Sequence, residues 1–179
     1  GRTLSCTRGT WDDHGRESEY GVTYEWYRAG AFVSNGAQFP VNTIDVNKVL
    51  RCQVVVEGVT VSASPNLTAP APVNLAPPTI SGDARLGRTV SCDRGTWDDE
   101  GIDPYPVSYQ WLRSNTPIEG ATGPTYTITA DDVTRSIACR VTAAGFTSAT
   151  SAGVSIPAPE NQLPPRIEGD PRIDQTLTS

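Results

Sequence analysis

The stretch GRTVSCDRGTWDD, Gly87 to Asp99, also opens the chain almost letter for letter as GRTLSCTRGTWDD, Gly1 to Asp13. A third, fainter start, DQTLTS, occupies Asp174 to Ser179. A repeat of this period constrains the fold more than any single motif, because every copy must build the same small unit. In a chain of 179 residues it predicts two units, each near the small end of what can bury its own core. The expected organisation is a first repeat over 1–68 without a strand A of its own, a second over 76–157, and the start of a third over 163–179.

The strand pattern repeats with the motif. Leu4 and Cys6 alternate with Thr3, Ser5 and Thr7 over residues 3–8, as in a half-buried strand. In VTYEWYR the residues Val22, Tyr24 and Trp26 share a face, and in VLRCQVVV so do Leu50, Cys52 and Val54. Ala29-Gly30, Asn35-Gly36 and Glu57-Gly58 read as turns, and Asp45 to Lys48 as a corner. The second copy answers each step: Val90 and Cys92, Tyr109 and Trp111, Tyr126 and Ile128, then Ile137, Cys139 and Val141. No helical periodicity of useful length occurs. Many short alternating strands, punctuated by Gly and Pro, predict an all-β chain of antiparallel sheets packed as sandwiches. The Pro-rich joints, Ser64 to Pro78 and Ile156 to Pro165, predict stiff, extended spacers.

The formal net charge is −6 with no basic cluster, which argues against a nucleic-acid partner. No apolar run has the length of a membrane span, and no signal-peptide pattern is visible. Methionine is absent even at position 1, suggesting a processed chain or a fragment. Four cysteines, two per repeat at matching places, read as structural disulfides in an oxidising compartment. Zinc sites and free buried thiols are the alternatives. Zinc is disfavoured because the cysteines stand singly and the one histidine, His14, has no counterpart in the second copy.

The order Cys, Trp, Cys in each copy (Cys6, Trp26, Cys52 and Cys92, Trp111, Cys139) resembles the immunoglobulin fold. That resemblance implies a Cys6–Cys52 and a Cys92–Cys139 bridge between strands B and F, each packed by its tryptophan. Leu50 and Ile137 stand where immunoglobulin domains place the tyrosine of the tyrosine corner. The wording GRTLSC, GTW, TYxWxR and DVxxxIxC is similar to tandem Ig-like repeats of secreted and cell-surface bacterial proteins. Those repeats usually serve as stalk or adhesive modules, so the resemblance implies an extracellular setting and no particular chemistry.

Candidate sites are few. Trp11 and Trp97 follow the first strand of each copy; packing against the core is favoured over stacking on sugars. Asp12-Asp13 and Asp98-Asp99, with Glu17, Glu19 and Asp103, form acidic loops without calcium-loop spacing, so no metal ligand is assigned. No catalytic residue and no cofactor is expected, because His14 has no defined nucleophile partner. Asn66-Leu67-Thr68 fits a glycosylation sequon.

The phase of the ends points further. APPTISGDARL, Ala76 to Leu86, precedes the second copy as its strand A, and the tail LPPRIEGDPRI, Leu163 to Ile173, matches it. Ile167, Gly169 and Ile173 are therefore candidate donor-strand residues for a neighbouring subunit's first repeat. The expected function is a structural subunit of an extracellular filament, its partner another copy or a covalently continuous array. An adhesin that binds a glycan or host surface is the alternative; an enzyme is the weakest reading.

Overall fold

The computed structural model describes residues 2–10, 21–57, 59–98 and 105–169, and the backbone alone at 59–61. The chain is almost entirely β. In the first half, β1 (Thr3–Ser5) pairs with β4 (Gln38–Pro40), placing Leu4 opposite Phe39. A second sheet runs in the order β3 (Ala31–Asn35), β2 (Val22–Arg28), β5 (Val49–Val56), β6 (Val59–Ala63), with β7 (Leu67–Thr68) also on β5. All these pairings are antiparallel.

The same plan recurs after the joint, with additions. The joint itself forms β8 (Val73–Ala76); just after it come β9 (Thr79–Ser81), in the segment expected to be strand A, then β10 (Thr89–Asp93) and β11 (Thr96–Asp98). Then come β12 (Val107–Arg113), β13 (Thr116–Pro117), β14 (Thr125–Thr127), β15 (Ser136–Ala143), β16 (Thr147–Thr150) and β17 (Val154–Ser155). One sheet has the order β14-β10-β9; the other is β13-β12-β15-β16, with β17 on β15.

Alternation explains which faces close the core. Val90 and Cys92 are the buried positions of β10 in the second half; in the first half Leu50, Cys52 and Val54 are buried along one face of β5, joined by Val55 at its end. Each fully buried aliphatic side chain stabilises by roughly 1.5–3 kcal/mol. Trp26 stacks on Phe39 at 5.2 Å and Trp111 on Tyr126 at 5.5 Å, and their indole N–H groups donate to the carbonyls of Gly36 and Gly123. Disulfides Cys6–Cys52 and Cys92–Cys139 tie one sheet to the other across each core, with Cα atoms 6.2 and 6.3 Å apart. They span 46 and 47 residues, and closing loops of that length in the unfolded chain is worth about 4 kcal/mol each in the chain-entropy account. The arrangement is an all-β sandwich fold, compatible with an Ig-like topology.

Turns follow the local chemistry. Ala29-Gly30 and Ser114-Asn115 both take positive φ at two successive residues, the geometry of a tight hairpin loop. The corner after β4 is a single 3-10 turn, Thr43–Asp45, and its counterpart is Ala130–Asp132.

Two expectations need adjusting. Residues 3–8 were expected to form one strand, but β1 stops at Ser5, whereas β10 continues through Cys92 and Asp93. Those two extra positions are the ones that β9 pairs, opposite Ile80 and Thr79. The Pro-rich joint is also more than a spacer. Val73–Ala76 is hydrogen-bonded to Thr96–Asp98, so the joint belongs to the second half.

Candidate interaction site

The site is built on the edge of β1. In the second half, β9 lies beside β10 in the register Ser91–Ser81, Cys92–Ile80, Asp93–Thr79. Ile80 packs on the core cluster that contains Val90, Cys92 and Cys139. Val90 is 1 % exposed and Cys92 6 %. In the first half the corresponding Leu4 and Cys6 are only half-buried, and no strand lies along that edge of β1 among the described residues. A groove of about 460 Å³ opens there, with Leu4, Cys6, Gly9, Leu50 and Leu67 among its walls. Leu67 is 50 % exposed.

A matched pair of hydrogen bonds makes the difference plain. The Cys52 N–H donates to Ser64 Oγ and the Cys139 N–H to Ser151 Oγ, both at 3.0 Å. Ser151 is buried and Ser64 is exposed. The bonds are the same; the cover is not.

The joint that covers the second half is held by several devices. Pro72 and Pro78 are buried, and Asn74 Nδ2 donates to the Ala76 and Thr96 carbonyls at 2.8 and 3.2 Å. Gly95, at φ 75°, lets the joint pass directly over the turn between β10 and β11. A methyl group there would overlap the Ala76 carbonyl oxygen and the Pro77 backbone. Gly9 takes the same φ of 75° beside the open groove.

The tail repeats the joint without a gap. Pro157-Ala158-Pro159 repeats Pro70-Ala71-Pro72, Asn161 repeats Asn74, Pro164-Pro165 repeats Pro77-Pro78, and Ile167 and Gly169 repeat Ile80 and Gly82. Gly82 and Gly169 both have positive φ, 110° and 128°. Burial separates the two segments: residues 157–169 are all exposed, Ile167 at 75 %. Ile173 lies outside the described residues.

Elsewhere the polar clusters serve the fold. Arg28 pairs with the fully buried Asp45, which also accepts from the Asn42 N–H at 2.8 Å. Arg113 pairs with Asp132 in the same way, and there Tyr126 adds its hydroxyl at 2.8 Å. Burial, the largest influence on Asp132, pushes its carboxyl upward. The Thr129 N–H, Arg113, Tyr126 and the Thr129 hydroxyl together outweigh it and hold the carboxyl below its ordinary value. Burial likewise raises the Tyr126 phenol. The pairing of these arginines and aspartates went unremarked in the sequence, although Arg closes both VTYEWYR and VSYQWLR, and Asp precedes Val in both corners.

Of the aromatic candidates, Trp97 is 8 % exposed within the core, and its indole donates to the Arg94 carbonyl at 2.8 Å. Trp11 and His14 lie outside the described residues, as do Asp12, Asp13, Glu17, Glu19, Asp99 and Asp103 of the acidic loops. Among the described residues no cluster of three His, Cys, Asp or Glu side chains could hold a metal ion. No described helix is long and apolar enough to cross a membrane. Asn66 of the sequon is exposed. No protein-family profile matches the chain, and no curated protein matches it either.

Proposed function

We propose that this chain is a structural element of an elongated extracellular polymer, a filament or stalk at a bacterial cell surface, built from Ig-like units in series. The reading rests on one observation: Val73–Ala76, in the joint, pairs with β11, and Thr79–Ser81, at the start of the second unit, pairs with β10. A joint of that kind sets each unit firmly on the segment before it, which suits a load-bearing or spacing role. Two disulfides support an oxidising, extracellular setting. Burial of Trp97 removes one of the two indoles on which a sugar-stacking surface would depend, so the adhesin reading has less support.

Electron microscopy of native material, with intact-mass measurement after dissociation, tests the reading. Rods or filaments with a regular axial repeat support it. Compact, discrete particles that bind a glycan array and lose binding on Trp11→Ala would move the function to an adhesin.

A further inference from the structure

The outward faces of the two central sheets differ at one place, although their strands keep the same register. In the first half Tyr27 on β2 stands opposite Arg51 on β5. The Tyr27 ring meets Phe32 edge-on at 6.0 Å and lies 5.7 Å from the Arg51 guanidinium, and its hydroxyl donates to Glu25 at 2.8 Å. Phe32 is 53 % exposed. An open cleft of about 340 Å³ lies beside the Tyr27 ring, with Val49, Arg51 and Asn66 among its other walls. In the same register the second half has Leu112 opposite Ala138, both buried. The fold therefore does not require the aromatic surface, because the second half is built without it.

Asn66 opens Asn66-Leu67-Thr68, the one Asn-x-Ser/Thr triplet in the chain. We propose that Asn66 is N-glycosylated and that its first sugar lies in this cleft, against Tyr27 and Val49. The sugar comes from a lipid-linked pyrophosphate glycan. The Asn66 side-chain nitrogen bonds to the anomeric carbon, the pyrophosphate leaves with the bonding electrons, and the amide gives up one proton.

The local structure suits the transfer. Asn66 is exposed just before β7, and Leu67 and Thr68 are exposed as well. The side chains of Asn42, Asn74 and Asn161 are committed to backbone hydrogen bonds, whereas among the described residues that of Asn66 makes none. Thr68 pairs with Val49 as Ser155 pairs with Ser136, so Gly153 stands where the first half has Asn66. A Cβ on Gly153 would overlap Ser136 Oγ, and no side chain fits there. Triplet and aromatic face thus occur together in one half and are missing together from the other. Tyr27 and Val49 offer apolar surface to the C–H face of a pyranose, and Arg51 offers donors to its hydroxyls. The two disulfides agree with an oxidising export route. A sugar at Asn66 suits a stalk, a filament or an adhesin alike, and does not rest on the polymer reading.

Peptide mass spectrometry of native material should find carbohydrate on Asn66. The full chain expressed in its own host should lose it in Asn66→Gln and equally in Thr68→Val, with near-UV circular dichroism unchanged from the parent. The glycosylated parent should melt about 4 °C above Asn66→Gln. In a Tyr27→Leu background, which supplies the residue of the second half, occupancy should persist while that gap closes to about 1 °C. An unmodified Asn66 in native material overturns the proposal, as does carbohydrate that survives Thr68→Val. A melting gap that persists in full without Tyr27 overturns the placement of the sugar in the cleft. The polymer reading fails separately, on the compact particles described above.

Discussion

Cys92 is paired with Ile80 of β9 and nearly inaccessible, whereas its counterpart Cys6 is half-buried beside an open groove. The two halves otherwise agree closely, in disulfide span, tryptophan stacking and arginine–aspartate pairing. The comparison separates what a single unit can do for itself from what it draws from the preceding segment. Sheet pairing, disulfide and corner are internal to each unit. Cover for the edge of the first strand comes from residues that lie before the motif. β4 pairs with one edge of β1; among the described residues no strand lies along the other, beside Leu4 and Cys6, and their half-burial is the cost of lacking that cover.

The largest expected departure from symmetry comes from Gly95→Ala. The methyl group overlaps the joint backbone at a residue already in the left-handed region, so the second half should lose about 3 kcal/mol in chemical denaturation. Gly9→Ala, at the same φ in the first half, should cost about 1 kcal/mol from backbone conformation alone. Equal losses at the two glycines would show that the joint does not pass over Gly95 as described.

Next in size is Ile80→Ala, which makes the second edge resemble the first. A half-buried isoleucine contributes less than a fully buried one, so a loss of about 2 kcal/mol is expected. By calorimetry only the transition of the second half should move. If both transitions move together, the halves unfold as one body.

Asp132 makes a comparable difference that depends on pH. Its carboxyl is held below the ordinary value in the folded state, so the unfolded chain binds its proton first as the pH falls. The stabilisation is therefore complete above about pH 4 and is lost as the pH drops through the lower folded value. Asp132→Asn should cost about 2 kcal/mol at pH 7, less than a fully buried pair because Arg113 is partly exposed, and progressively less below pH 4. A cost that does not shrink in acid would assign the effect to shape and not to charge.

Smallest is Tyr126→Phe, which gives the second half the ring that Phe39 supplies in the first. The lost hydroxyl contact to Asp132 should cost about 1 kcal/mol, read as a modest fall in the second melting transition. No change would mean that Arg113 and Thr129 already satisfy the carboxylate.

Much of this was legible in the residues. Alternation at Leu50, Cys52 and Val54, and again at Ile137, Cys139 and Val141, is a local period-two signal that marks strands and their buried faces. The cysteine pairs followed from the resemblance, and the tail's likeness to the segment before the second copy came from direct comparison. The Arg28–Asp45 and Arg113–Asp132 pairs escaped notice because charged residues at strand ends and corners ordinarily face water. Nothing local in the sequence says that these carboxylates turn inward.

By itself, the sequence determined the repeat and most of the strands. Only the tertiary structure decided that Val73–Ala76 of the Pro-rich joint is a strand of the second sandwich, paired with Thr96–Asp98, and that a groove opens beside Leu4 and Cys6. The reason is one of range. A strand's face is written in neighbouring residues, but its partner is chosen among distant ones. That choice depends on which edges remain unpaired once the sandwich has closed.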